Sequence, residues 1–146
     1  MTAAAKNTYG AVLKLDDAGG TPAAIAELNS ITPPALSRGT IDVTTHNGAS
    51  QAMEFIADGT YDSGEINVEG NLIAGSDADD LFLTALTTGA MQDFEILIKA
   101  ATGTETQSGS CFVTSYTPGP MPVAGAKQTL SATLKVSGAI TQAPTA

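Results

Sequence analysis

Apolar and polar residues alternate along several short stretches of this chain, the period of a strand with one buried face. Over residues 9–15, Tyr9, Ala11, Leu13 and Leu15 fall on one side and predict a first strand. The cluster Asp16-Asp17-Ala18-Gly19-Gly20-Thr21-Pro22 reads as a turn. A short run over 25–31 ends at Pro33-Pro34, and from Leu36 the chain extends again, with Ile41 and Val43 opposed to Thr40, Asp42 and Thr44. Residues 46–62 form a long irregular stretch, longer than most connections in a compact domain. Within it sits Met53-Glu54-Phe55-Ile56, more apolar than a solvated loop normally carries. The strand that follows, 65–72, sets Ile66, Val68 and Leu72 against Glu65, Asn67, Glu69 and Asn71. The two strands flanking 46–62 therefore predict an over-long β-hairpin.

The period changes once. Ser76 is a good N-cap with Asp79 three residues on, and Asp77, Asp79 and Asp80 suit the positive end of a helix dipole. Ala78, Leu81, Phe82, Ala85 and Leu86 make an apolar stripe, and Gly89 is placed to end the helix. Three further strands close the chain. Residues 93–99 point Phe94, Ile96 and Ile98 inward, and 110–117 carry Phe112, Val113 and Tyr116. In 127–140, Leu130, Ala132, Leu134 and Val136 alternate with Thr129, Ser131, Thr133 and Lys135. Pro118, Pro120 and Pro122 stiffen the preceding linker. Residues 1–8 and 141–146 read as flexible arms on a single domain spanning 1–146.

Composition sharpens this picture. The chain is 42% hydrophobic but only 5% aromatic, without Trp, which favours thin β-layers over a large aromatic interior. Six basic residues against fifteen acidic ones give a formal charge of −9. Lys6, Lys14, Arg38, Lys99, Lys127 and Lys135 are scattered, so the phosphate-neutralising patch of a nucleic-acid binder is missing. That charge suits a surface that stays beside DNA without adhering to it. Residues 1–7 carry one lysine and no apolar run of signal-peptide length, and no segment approaches a membrane span, so synthesis and assembly in a cytoplasm are expected.

Candidate chemistry is sparse. Cys111 stands alone, which rules out an intrachain disulfide and a cysteine metal site, and its apolar strand suggests a packed thiol. His46 is the single histidine and lies in a loop; no Gly-x-Ser-x-Gly elbow presents a nucleophile. Asp58, Asp62 and Glu65 surround Gly59 and Gly64 but lack the order of a calcium loop, and the helix start already accounts for Asp77, Asp79 and Asp80. No phosphate-cradling or dinucleotide motif occurs. The expectation is a non-enzymatic structural protein with no catalytic residue, metal or cofactor.

Taken in order, the elements resemble the major tail tube proteins of long, flexible-tailed bacteriophages, relatives of gene-transfer-agent tubes and the type VI secretion tube. The resemblance spans residues 9–140. It rests on Ser37-Arg38-Gly39-Thr40-Ile41-Asp42-Val43-Thr44-Thr45 running into the long loop, and on the return Gly64-Glu65-Ile66-Asn67-Val68-Glu69-Gly70. It rests also on the helix after Asp77-Ala78-Asp79-Asp80 with residues 91–99, and on the close Leu134-Lys135-Val136-Ser137-Gly138-Ala139-Ile140.

The resemblance implies a mainly β fold, a two-sheet β-sandwich with one flanking α-helix, whose inner sheet forms part of an oligomeric β-barrel tube. Hexameric rings would stack into a conduit through which DNA passes without specific binding. Tape-measure, terminator and tip proteins would be further partners, and the virion tail the location. Geometry allows it: six subunits giving four strands each, spaced ~4.8 Å and tilted ~40°, close a barrel of backbone radius roughly 24 Å. Asp42, Glu65, Asn67 and Glu69 are the candidates to face the lumen, and Met53, Phe55 and Ile56 the candidates for ring stacking. Two other readings stay open. One is a secreted or surface β-sandwich binding module, adhesin-like or pilin-like; the other is a small acidic enzyme or sugar-binding domain, disfavoured by the lack of aromatic platforms.

Overall fold

The computed structural model describes residues 5–16, 22–100 and 102–145. It is mainly β with one helix. The strands are β1 (Val12–Leu15), β2 (Ala23–Ala24), β3 (Leu28–Thr32), β4 (Ser37–Asp42), β5 (Phe55–Asp62), β6 (Glu65–Asn71), β7 (Gln92–Lys99), β8 (Thr104–Pro118) and β9 (Thr129–Pro144). The helix α1 (Asp77–Thr88) lies between β6 and β7. Seven strands form one antiparallel sheet in the order β2-β1-β7-β8-β9-β6-β3, and β4 pairs with β5 in a separate ribbon.

Alternation puts one face of the large sheet into the core. Leu13, Leu15, Ile66, Val68, Phe94, Ile96, Leu130, Ala132, Leu134 and Val136 are buried, each separated by a residue of the opposite face. The sheet curls on itself, because Ile31 of β3 and Ile96 and Ile98 of β7, far apart in strand order, line one cleft. Helix α1 covers the remaining gap with Phe82 and Ala85. Phe82 stacks on Tyr116 of β8 at 5.5 Å between ring centres.

The cap geometry is as the sequence predicts. Ser76 accepts a hydrogen bond from the Asp79 amide (3.3 Å), and Gly89 is left-handed and donates its amide to the Ala85 carbonyl (3.0 Å). Asp79 reaches further back than a capping box would, accepting from the Gly75 amide (3.1 Å) and from the Tyr116 hydroxyl (2.5 Å).

Several expectations need correction. The core lies within one curled sheet closed by the helix, not between two facing sheets: β4 and β5 contribute no core residue. The predicted hairpin had the wrong second strand. β4 returns on β5, while β6 pairs with β3 and β9. The irregular stretch 46–62 shrinks accordingly to a 43–54 connection, since residues 55–62 are strand β5. The first strand is only Val12–Leu15, and Tyr9 and Ala11 are exposed. On β8 the inward residues are Cys111 and Val113, then Tyr116. A bulge between Val113 and Ser115 shifts the alternation, and Phe112 points to the other face. The strand also begins six residues earlier than predicted, at Thr104. Residues 141–144, expected to fray, pair with 105–108 of β8, and the Thr145 amide donates to Thr104 (2.8 Å). Of the predicted N-terminal arm, 1–4 lie outside the described residues, whereas Asn7 accepts a hydrogen bond from Lys99 (2.8 Å). The turn expected at 16–22 falls largely on 17–21, also outside the described residues.

Candidate assembly surfaces

The β4–β5 ribbon is an arm standing off the curled sheet. Its base is fixed at several points. Gly64 sits at φ +83° where the chain passes from arm to sheet, and a Cβ there would strike the Ala35 backbone. Lys135 of β9 pairs with Asp62 (2.7 Å), the single ion pair among the described residues. The Lys135 hydrogen bond, aided by the Gly64 amide, holds the Asp62 carboxyl below the usual carboxylate range. Ser63 donates to the Gly138 carbonyl (2.5 Å). Further out, Arg38 donates to the Asp58 carbonyl (2.6 Å) and lies over the Tyr61 ring.

Beyond its base the arm is apolar and exposed on both faces. Ile41 faces Ile56 across the ribbon, and the Val43 amide donates to the Glu54 carbonyl (2.9 Å), so Ile41, Val43, Glu54 and Ile56 share one face. Met53, Phe55 and Asp42 share the other. The three stacking candidates are therefore divided: Met53 and Phe55 look one way and Ile56 the opposite way. All three are more than half exposed, at 65%, 52% and 52%. A two-stranded ribbon is marginal in water on its own, so this arm needs a surface to cover it.

The lumen candidates are also divided. Glu65, Asn67 and Glu69 alternate on the solvent face of β6, opposite Lys135, Thr133 and Ser131 of β9. Thr133 donates to the Asn67 side chain (3.0 Å). Asp42 is on the arm instead, where hydrogen bonds from Thr44 keep its carboxyl below the usual range. The register carries the polar face on through Ser110 and Ser108 of β8 to Asp93 and Glu95 of β7. Those two acids were missed, although the inward set Phe94, Ile96 and Ile98 already implied that odd-numbered residues face out.

Besides the end strands β2 and β3, two inner strands of the large sheet are open along part of one edge. β7 covers β8 only through Cys111, and β6 covers β9 only through Lys135. Residues 112–118 and 137–144 thus have no strand on one side among the described residues, a pairing surface for another chain.

Two clefts open on the surface. One, of about 290 Å³, is floored by Ala11, Ile31, Pro33, Ile96 and Ile98 and rimmed by Lys6 and Lys99. The other, of about 940 Å³, runs along α1 and has Glu27, Asp77 and Asp80 at its margin. Reactive chemistry is sparse around them. Cys111 is fully buried, and burial, with the Asp93 charge behind it, pushes its thiol up to about 12. His46 is exposed in the arm's loop. Among the described residues no three His, Cys, Asp or Glu side chains gather as metal ligands, and no helix is long and apolar enough to cross a membrane.

No protein-family model matches the sequence, and no curated protein matches it. Solved structures do. The tail of the empty gene transfer agent particle, refined with C6 helical symmetry, is 19% identical with a TM-score of 0.76, over 94% of this chain and 98% of that one. This is the tail-tube fold. An anti-feeding prophage baseplate chain shares it at 11% identity and TM-score 0.75, over 99% of this chain and 98% of its own. The SPP1 tail tube matches at 14% identity and TM-score 0.61, over 92% and 77%. Each of these matches takes in more than nine-tenths of this chain.

Proposed function

We propose that this chain is the structural subunit of a phage-type tail tube, polymerising as stacked hexameric rings around a conduit for DNA. The observation that carries the reading is the near-complete overlap with the gene transfer agent tail, a particle refined with six-fold symmetry. The open edges and the exposed arm support it independently, because each leaves backbone or apolar surface that a neighbouring copy would cover. The charge supports it too: a −9 subunit repels the duplex and keeps it mobile. In this reading the inner sheets of the ring close a continuous barrel, and Glu65, Asn67 and Glu69 look into the bore. Asp42 would sit with them only if the arm bends inward. Met53 and Phe55 form the stacking face. Tape-measure, terminator and tip proteins are the further partners, the virion tail is the location, and assembly takes place in the host cytoplasm.

Electron microscopy of the purified, concentrated protein tests this directly. Hollow tubes or six-fold rings are expected; a population of monomers at every concentration overturns it. The variant Phe55→Asp should remain a folded monomer that cannot lengthen tubes, and normal growth of that variant would remove the Met53–Phe55 face from the stacking role.

A further inference from the structure

The arm has a second apolar face, and the molecule has a place for it. Ile41, Val43 and Ile56 are 46%, 38% and 52% exposed; Glu54 sits among them, and Asp58, against Gly39, follows on the same face nearer the base. Of the two clefts, the one along α1 is bordered by Glu27, Asp77 and Asp80 and repels an approaching carboxylate. The smaller cleft has the opposite character. Its floor is aliphatic, its volume suits a side chain or two, and two of the six basic residues in the sequence stand at its rim. Lys99 is aimed there by neutral partners: its ammonium donates to Asn7 (2.8 Å) and lies 5.9 Å from the centre of the Tyr9 ring. A cation positioned this way keeps its charge for an incoming acid.

The arm cannot fill the cleft of its own subunit. No arm residue lines it, and Val43 with its partner Glu54 stands six strand residues, ~20 Å, beyond the arm's base at Ser37. We infer that the arm face bearing Ile41, Val43, Glu54 and Ile56 docks in the Lys6–Lys99 cleft of a second copy of this chain. The aliphatic side chains cover Ile31, Ile96 and Ile98, and Glu54 meets the lysines. In the ring the contact runs one way, tip of one copy to cleft of the next, so it joins copies head to tail and closes a ring or extends a filament. It rests on the proposed tube assembly but uses the face opposite Phe55, leaving that ring for a third copy.

Zero-length carbodiimide coupling of the assembled wild-type protein, made from an equal mix of light and isotopically heavy chains, tests the contact. Mass spectrometry should find Glu54 joined to Lys99 or Lys6, with light–heavy hybrids showing that the link runs between copies. Charge exchange gives a second reading. Glu54→Lys and Lys99→Glu should each raise the concentration needed for assembly by roughly two- to fivefold, and the double variant should return it towards wild type. Tubes that form normally with Glu54 coupled only to Lys14, Lys127 or Lys135, and no rescue in the double variant, overturn this contact while the tube reading stands. A chain that never assembles overturns both.

Discussion

Single residues carry much of what ties this structure together, and Asp79 shows how. It accepts from the Tyr116 hydroxyl and the Gly75 amide, so one carboxylate joins the helix start to β8. These bonds, Tyr116 foremost, lower its pKa, while burial and the Asp79 hydrogen bond raise that of Tyr116. A carboxyl whose pKa is lowered by folding contributes fully above the ordinary carboxylate range, and that contribution drains away as pH falls through the lowered value. Tyr116→Phe should therefore cost about 1 kcal/mol at neutral pH, less than a fully buried charged hydrogen bond because solvent screens the site. The difference should shrink from about pH 4 downward, as urea melts across a pH series would show; a constant difference down to the lowest pH would disprove the linkage. Gly64 is the other sensitive position. Its left-handed backbone and the closeness of Ala35 leave no room for a side chain, so Gly64→Ala should lower stability by roughly 2 kcal/mol or more. Differential scanning calorimetry measures that loss, and Gly59→Ala, with open space around it, is the control.

At the level of elements, the sequence spoke clearly wherever one periodicity held. Helix α1, its caps and its stripe were legible because Ser76, three aspartates and Gly89 all favour the same boundaries. β6 and the first half of β9 were legible because each alternates without interruption. Legibility failed where the pattern carries no burial signal. β5 has exposed residues on both faces, so Phe55–Asp62 looked like loop, and the hairpin was assigned the next alternating strand as its partner. The β8 start, Thr104 to Ser110, is Thr, Glu, Gln, Ser and Gly, held by ladder hydrogen bonds between β7 and β9 and not by apolar side chains. The same blindness hid residues 141–144. Their pairing with β8 makes a prediction: deletion of 141–146 should lower stability by ~2–4 kcal/mol and expose to hydrogen exchange the alternate amides of 105–108 that face β9, while those bonded to β7 stay protected. Unchanged protection of the amides facing β9 would mean that the C-terminal pairing is dispensable.

For the whole molecule, the surfaces follow from a fold that leaves its polar face, stretches of strand edge and an arm uncovered. Of the proposed lumen set, the sequence placed Glu65, Asn67 and Glu69 together through their alternation. It could not place Asp42, because nothing in the spacing says that β4 leaves the main sheet. The reading of a repelling bore has a direct consequence. Replacing Glu65 and Glu69 together by Lys changes each subunit by four charges, two per site. Tubes of that variant should still assemble but retain duplex DNA, with retention falling steeply as salt rises. Tubes that ignore DNA at low salt would place these residues away from the bore.

The burial of Cys111 reaches beyond packing. A thiol sealed in the core and raised to about 12 is silent towards maleimides and oxidants at neutral pH. Because it is the one cysteine in the sequence, the natural chain is already a blank background for site-directed labelling. A single cysteine introduced at Val123, fully exposed in the β8–β9 connection, would take a fluorophore or spin probe cleanly. Every copy in a polymer would then carry one reporter at a known place, with no native residue to remove first.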